Sequence, residues 1–233
     1  RVRLASAVEE RPKSRERGSL PAADPSRRTV LGVPEASLGA GDYFAHFCET
    51  YRGTASRQSQ RIINSECACQ PGWLLISVDV EKAFLQGMTT AEVAAATGED
   101  EEVTHFVLPT GAAAILRQIE GFEDFDERRE VLLNLKASIG TKGAPRAFSL
   151  KLAKITRSPP IGMKPTSRDP ELEVKHDQYS KLVSLLGKHV DDLKIGGQPA
   201  FLKIIVDTLE YHFGKLKYEA REFTNTGVRH RQL

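Results

Sequence analysis

The chain has 233 residues, 40% of them hydrophobic, with a formal net charge of +2 and three cysteines. That apolar content suffices for an ordinary globular core of one large domain, and no run approaches the ~20 apolar residues that cross a bilayer. The opening R-V-R-L-A-S-A-V-E-E lacks the apolar centre of a signal peptide, so the expectation is an intracellular protein, cytoplasmic or nuclear, with no membrane partner.

The charge is unevenly spread. Residues 1–30 hold eight Arg or Lys against four acids, whereas Glu92 to Glu102 is acidic. Residues 1–40 are rich in Arg, Ser, Pro and Gly without sustained periodicity, which predicts a basic, flexible arm. From residue 41 to 233 the composition is globular. Gln60 to Cys69 reads as the end of a helix. Cys67 and Cys69 would need two further ligands to hold zinc, and no C-x-x-C or H-x-x-x-H lies near, so reduced structural cysteines are the preferred reading.

In Trp73 to Val80, the residues Leu74, Ile76, Val78 and Val80 alternate at the strand period, which turns Asp79 toward the opposite face. Residues 88–130 are Ala-rich and acidic without a clear strand pattern, and are expected to form an irregular insertion. Pro145 suits a first helical turn, with Phe148, Leu152 and Ile155 following at helical spacing. Leu182 to Val190 reads as a buried strand, Asp191-Asp192 as a tight turn, and Leu193 to Gly197 as the returning strand. Pro199 to Phe213 reads as a helix stopped by Gly214, and Leu216, Tyr218 and Ala220 alternate again.

An acid at a strand end is commonly a cap, and Asp-Asp pairs are common on surfaces. Together, however, Asp79, Asp191 and Asp192 would bring carboxylates from two strands to one rim, an arrangement that repels itself unless cations neutralise it. Hard oxygen ligands suit Mg²⁺, and a pair of such ions about 3.5–4 Å apart clamps the attacking and leaving oxygens of a phosphoryl displacement.

The motifs resemble those of the reverse transcriptase domain of copia-type LTR retrotransposon polyproteins. Ser77-Val-Asp-Val-Glu-Lys-Ala-Phe-Leu-Gln-Gly87 resembles the family's M-D-V-K-T-A-F-L-N-G, and Ile139-Gly-Thr-Lys-Gly-Ala-Pro-Arg-Ala-Phe148 its Y-G-L-K-Q-A-P-R-A-W. Gly162-Met-Lys-Pro165 with Asp169-Pro170 resembles G-F-x-x-S…D-P, and His189-Val-Asp-Asp192 resembles Y-V-D-D. Phe223 to Arg229 is faintly similar to F-L-G-I. The matches keep the family's order over roughly residues 54–230.

The resemblance implies an α+β polymerase palm, an antiparallel sheet with helices packed on one face, plus partial fingers and little or no thumb. It implies an RNA-directed DNA polymerase using two Mg²⁺ ions, with deoxynucleoside triphosphates, an RNA or DNA template with primer, and the rest of a retroelement polyprotein as partners. Asp79 and Asp191 would be the main metal ligands, with Asp192 beside them and the Val80 carbonyl as a further oxygen. Phe84 would lie under the incoming sugar and exclude a 2′-hydroxyl, the plain alternative being core packing. Gly140, Lys142, Gly143 and Pro145 would flank the incoming nucleotide, the alternative being an ordinary loop before a helix. The sequence departs from the family at His189, where Tyr is usual, at Ile139, where an aromatic is usual, and in the length of the acidic segment. The competing expectation is a truncated or decayed, inactive retroelement fragment. Arg57 and Arg61, ahead of the first strand, read as a solvated helix face.

Overall fold

The computed structural model describes residues 2–5 and 53–232, the side chains of 2–5 excepted. The alternating segments do become strands. In chain order the elements are β1 (Val2–Ala5), α1 (Arg57–Cys69), β2 (Leu74–Asp79), a 3₁₀ turn (Ala83–Gln86), α2 (Thr90–Thr97), β3 (Thr104–Phe106), α3 (Ala112–Leu116) and β4 (Val131–Asn134). They continue with α4 (Ala144–Arg157), β5 (Lys164–Pro165), β6 (Leu172–His176), β7 (Leu182–His189), β8 (Asp192–Gly197), α5 (Pro199–Phe213), β9 (Lys217–Ala220), β10 (Glu222–Asn225) and β11 (Val228–Arg231).

These elements form two compact units. The smaller contains Thr89–Ser138. Its sheet has the order β1-β4-β3, with β1 parallel and β3 antiparallel to β4. Phe125, Ala113 and Leu132 are its buried centre. The stretch expected to be irregular therefore carries short regular elements. The helix α2 starts where Thr89 and Glu92 bond each other's backbone reciprocally, a capping box that the lack of strand pattern concealed. Val2–Ala5, expected to belong to a flexible arm, pairs along β4. The remainder of that arm lies outside the described residues.

The larger unit is built on a six-stranded sheet of order β5-β6-β7-β8-β2-β9, antiparallel at every pairing. Strand period decides which residues meet which layer. Ile76, Val78, Leu186, Leu193 and Ile195 pack with Phe148 and Leu152 of α4 and with Leu202, Ile205, Leu209 and Phe213 of α5. Leu75 and Leu185 project the other way and join Ile63 and Cys67 of α1, with Trp73 and Phe223. The sheet is thus covered on both faces, not on one as the resemblance implied. The apolar alternation of β2 was legible; Leu75, on the remaining face, gains its cover from Ile63 and Cys67 of α1.

Glycine lets α1 approach. A Cβ on Gly196 would overlap Sγ of Cys67 and lie 3.2 Å from the Ile63 side chain. Gly196→Ala is expected to cost about 1–3 kcal/mol through overpacking, read as a lower denaturant midpoint with unchanged slope. A variant as stable as the parent would show that α1 is not seated tightly on β8. Among the described residues, no helix is long and apolar enough to cross a membrane.

Candidate functional site

Asp79 is the last residue of β2 and Asp192 the first of β8, and the antiparallel register sets them directly opposite each other. On its other side Asp79 faces Lys217 of β9. Val190 and Asp191 form the two-residue connection between β7 and β8. The turn is locked to the end of β2 by the Val80 N–H, which donates to the Asp191 carbonyl at 3.2 Å. Three carboxylates therefore belong to one rim of the sheet, as their positions at strand ends led one to expect. Ile76, Val78 and Val80 pack into the α4–α5 core, so Asp79 does face away from them.

The turn carries backbone strain. Val190 has φ of 59°. Hairpin turns of two residues favour glycine or asparagine at such positions, and a β-branched residue there is a costly exception. Strained backbone of this kind is held in place by surrounding structure and gathers at functional sites.

The electrostatics also distinguish the three acids. Partial burial pushes the Asp79 carboxyl above its ordinary value, and the nearby Asp191 pushes it further. Lys217 opposes this, while Asp192 and Glu81 add to it. Asp192 instead sits among donors. Its Oδ1 accepts from the Ser77 hydroxyl at 3.2 Å and from Asn225 Nδ2 at 2.6 Å, and its Oδ2 accepts from the Thr226 N–H at 3.4 Å. Asn225 Nδ2 also lies 3.1 Å from the Ser77 hydroxyl, closing a small network. The roles of Ser77, Asn225 and Thr226 were not read from the sequence. Asn225 is fully buried, and a polar residue at a buried strand position is the kind of signal that exposes such a support, but only once its strand is placed.

The other expected site residues are distributed as follows. Val80 is buried in the main core. Phe84 is half-buried in the 3₁₀ turn, its side chain packed against that core. Gly140, Lys142 and Gly143 lie in the turn ahead of α4, and Pro145 falls in its first turn. Gly140 has φ of 93° and open space around it, so its conformation demands glycine although no close neighbour does. The start of α4 is joined to the chain just beyond Asp79: the Met88 N–H donates to the Ala147 carbonyl at 3.1 Å, and a Cβ on Gly87 would approach Phe148 N to 2.9 Å. Arg57 and Arg61 are exposed on α1, as a solvated helix face requires. Cys67 is buried and Cys69 exposed, and burial pushes the Cys67 thiol up to about 11, the behaviour of an inert core thiol.

Among the described residues, no group of three or more His, Cys, Asp or Glu side chains is arranged to hold a metal ion. Asp79 and Asp191 are carboxylates whose mutual repulsion a cation would relieve, and Asp192 is already engaged by three donors. This donor chemistry suits a hard cation that keeps waters and takes its remaining ligands from phosphates. Compared with known protein families, curated proteins and solved structures, the chain matches none of them.

Proposed function

We propose that the larger unit is the catalytic palm of an RNA-directed DNA polymerase, acting at the rim formed by Asp79, Asp191 and Asp192. The observation that carries the reading is the repelling carboxylate cluster on two adjacent antiparallel strands, with Asp79 pushed toward protonation by burial and by Asp191. A cluster maintained against its own repulsion calls for cations. The ordered sequence motifs supply the reaction class, and the strained Val190 turn supports a functional role for the rim.

Asp79 and Asp191 would hold Mg²⁺, with the Val80 carbonyl within the same chain segment. When bound, paired Mg²⁺ ions lower the cost of the charge that develops on the oxygens of nucleotidyl transfer. The protein's own residues do the positioning. Ser77, Asn225 and the Thr226 N–H fix the Asp192 carboxylate, so Asp192 supports the local field and the geometry of the turn. Lys217, opposite Asp79, keeps part of the negative charge balanced before substrate arrives. The 3₁₀ turn holds Phe84 five residues beyond Asp79, and the glycine-containing turn before α4 offers close backbone approach to a nucleotide.

Primer extension on an RNA template with deoxynucleotides and Mg²⁺ tests the reading: extension that stops on chelation is expected, and its absence in the folded chain would favour the inactive-fragment reading instead. One observation gives that second reading weight. Asp192 is satisfied by protein donors alone, as in a carboxylate with a purely structural task.

A sugar-gating role for Phe84 has its own test. Phe84→Ala is expected to raise ribonucleotide use relative to deoxynucleotide use. The ring is only half-buried, so the stability loss should fall short of the ~3–5 kcal/mol of a fully buried aromatic. Unchanged sugar discrimination in the folded variant would leave Phe84 as a packing residue.

A further inference from the structure

The sheet of the smaller unit ends on β3, which pairs with β4 alone. Among the described residues, the outward backbone N–H and C=O groups of Thr104–Phe106 have no partner. Such an edge is a template for a further strand, and proteins commonly guard it with lysine, proline or a covering element. Val103 to Leu108 contains neither lysine nor proline. Instead Val103 and Val107, flanking the strand, are 63% and 87% exposed, and Phe106 is 37% exposed. Beside the strand lies a groove of about 260 Å³, lined by Phe106, Val107, Phe125 and Val131 together with Glu127 and Glu130. That is below the ~300–1,000 Å³ of small-molecule sites, and it suits apolar side chains of a peptide.

The charge around the edge selects the occupant. Glu99-Asp100-Glu101-Glu102 leads directly into it, and all four are exposed. Thr89–Ser138 as a whole carries eleven Asp or Glu against four Arg or Lys. A second copy would bring like charge to like charge, which keeps chains apart, whereas a basic segment meets the opposite charge. Strand addition also fixes the form of the partner. Main-chain bonds run along the edge while alternate side chains enter pockets, so apolar residues facing the groove alternate with basic ones on the other side of the added strand.

We propose that the β3 edge of the smaller unit docks an extended basic peptide as an added strand, its alternate apolar side chains in the groove beside Phe106 and Val131 and its Lys or Arg residues among the surrounding acids. The partner is a protein segment of alternating basic and apolar residues. The assignment does not depend on the carboxylate rim.

The test is fluorescence anisotropy of a labelled peptide, Lys-Val-Lys-Val-Lys-Val-Lys, titrated with the full chain. Saturable binding is expected, weakened by about tenfold or more when Glu replaces Lys in the peptide, when Ser replaces Val, or when Val107→Lys places a cation on the edge. Val107 is exposed, so its variant should keep the parent's circular dichroism and unfolding midpoint; Val103→Lys, also exposed, is the second variant. Two further peptides are N-methylated on alternate residues, one at the valines and one at the lysines. Only one of these two rows of amides can face β3, so one methylated peptide should lose binding and the other retain it. No saturable binding, equal affinity for the serine peptide, equal affinity of both methylated peptides, or full affinity in the folded lysine variants would each overturn the assignment. A dimer of the parent chain that dissociates on Val107→Lys would give the edge to a second copy and overturn it as well.

Discussion

Asp79→Asn and Asp191→Asn are each expected to reduce nucleotide incorporation by about a thousandfold or more while the chain stays folded, since losing a charged metal ligand removes several kcal/mol of transition-state stabilisation. The structural side of the prediction has a definite sign. The folded-state carboxyl of Asp79 is raised by burial and by Asp191. Its contribution to stability is therefore fully present below the unfolded value and is lost as pH rises through the folded value. At neutral pH the ionised group opposes folding, so Asp79→Asn should leave the unfolding midpoint unchanged or raise it, and should flatten its dependence on pH across the acid range. Asp192→Asn is expected to be milder in incorporation but less stable than the parent, because an amide placed against the Asn225 and Thr226 donors cannot accept through both of its ends. Single-nucleotide incorporation and thermal unfolding on the same preparations separate these effects. Incorporation that survives Asp79→Asn would remove Asp79 from the reaction, and a fall in midpoint would show its charge to be a structural asset.

The second large effect is predicted on the opposite face of the sheet, next to the rim in register. Lys188 lies in β7 on the α4 side of the sheet and is 1% exposed. Its Nζ stands 3.0 Å from Glu173 Oε1 and 3.2 Å from Glu171 Oε2. Arg157, at the end of α4, donates to the same Glu173 oxygen at 2.7 Å. Both glutamates are buried. Lys188→Met would leave Glu171 without its ammonium and Glu173 with one cation where it had two. Breaking a buried pair from one side typically costs about 3–5 kcal/mol, whereas replacing all partners with well-packed apolar groups is often neutral. A loss of that size is a large share of the roughly 5–15 kcal/mol available to a domain. The single variant should therefore unfold at much lower denaturant, and adding Glu171→Gln should recover part of the loss. A Lys188→Met chain as stable as the parent would show that the network contributes no net stability.

Much of the larger unit was legible because its strands announce themselves locally. Leu74 to Val80 alternate, Asp191 interrupts an apolar run, and Pro199 and Gly214 bracket a helix whose apolar stripe matches the buried residues Leu202, Ile205, Leu209 and Phe213. What escaped is what depends on contacts distant in sequence. Lys188 and Lys194 look like solvent-facing residues of ordinary strands, yet both are buried, one against Glu173 of the neighbouring strand and Glu171 just before it, the other by α1. The network around Asp192 joins Ser77 to Asn225 across 148 positions. In Thr89–Ser138 the elements are short, and brief apolar runs such as Val131–Asn134 carry too few periods to declare themselves.

Templated nucleotidyl transfer at the rim of Asp79 and Asp191 is the proposed activity. Its most direct test is single-nucleotide extension of a labelled DNA primer on four RNA templates differing only in the first unpaired base, each supplied with one deoxynucleoside triphosphate at a time and Mg²⁺. Addition of the complementary nucleotide is expected on each template, abolished by EDTA and by Asp79→Asn. No addition by the folded chain, or addition indifferent to the template base or to Asp79→Asn, would contradict it.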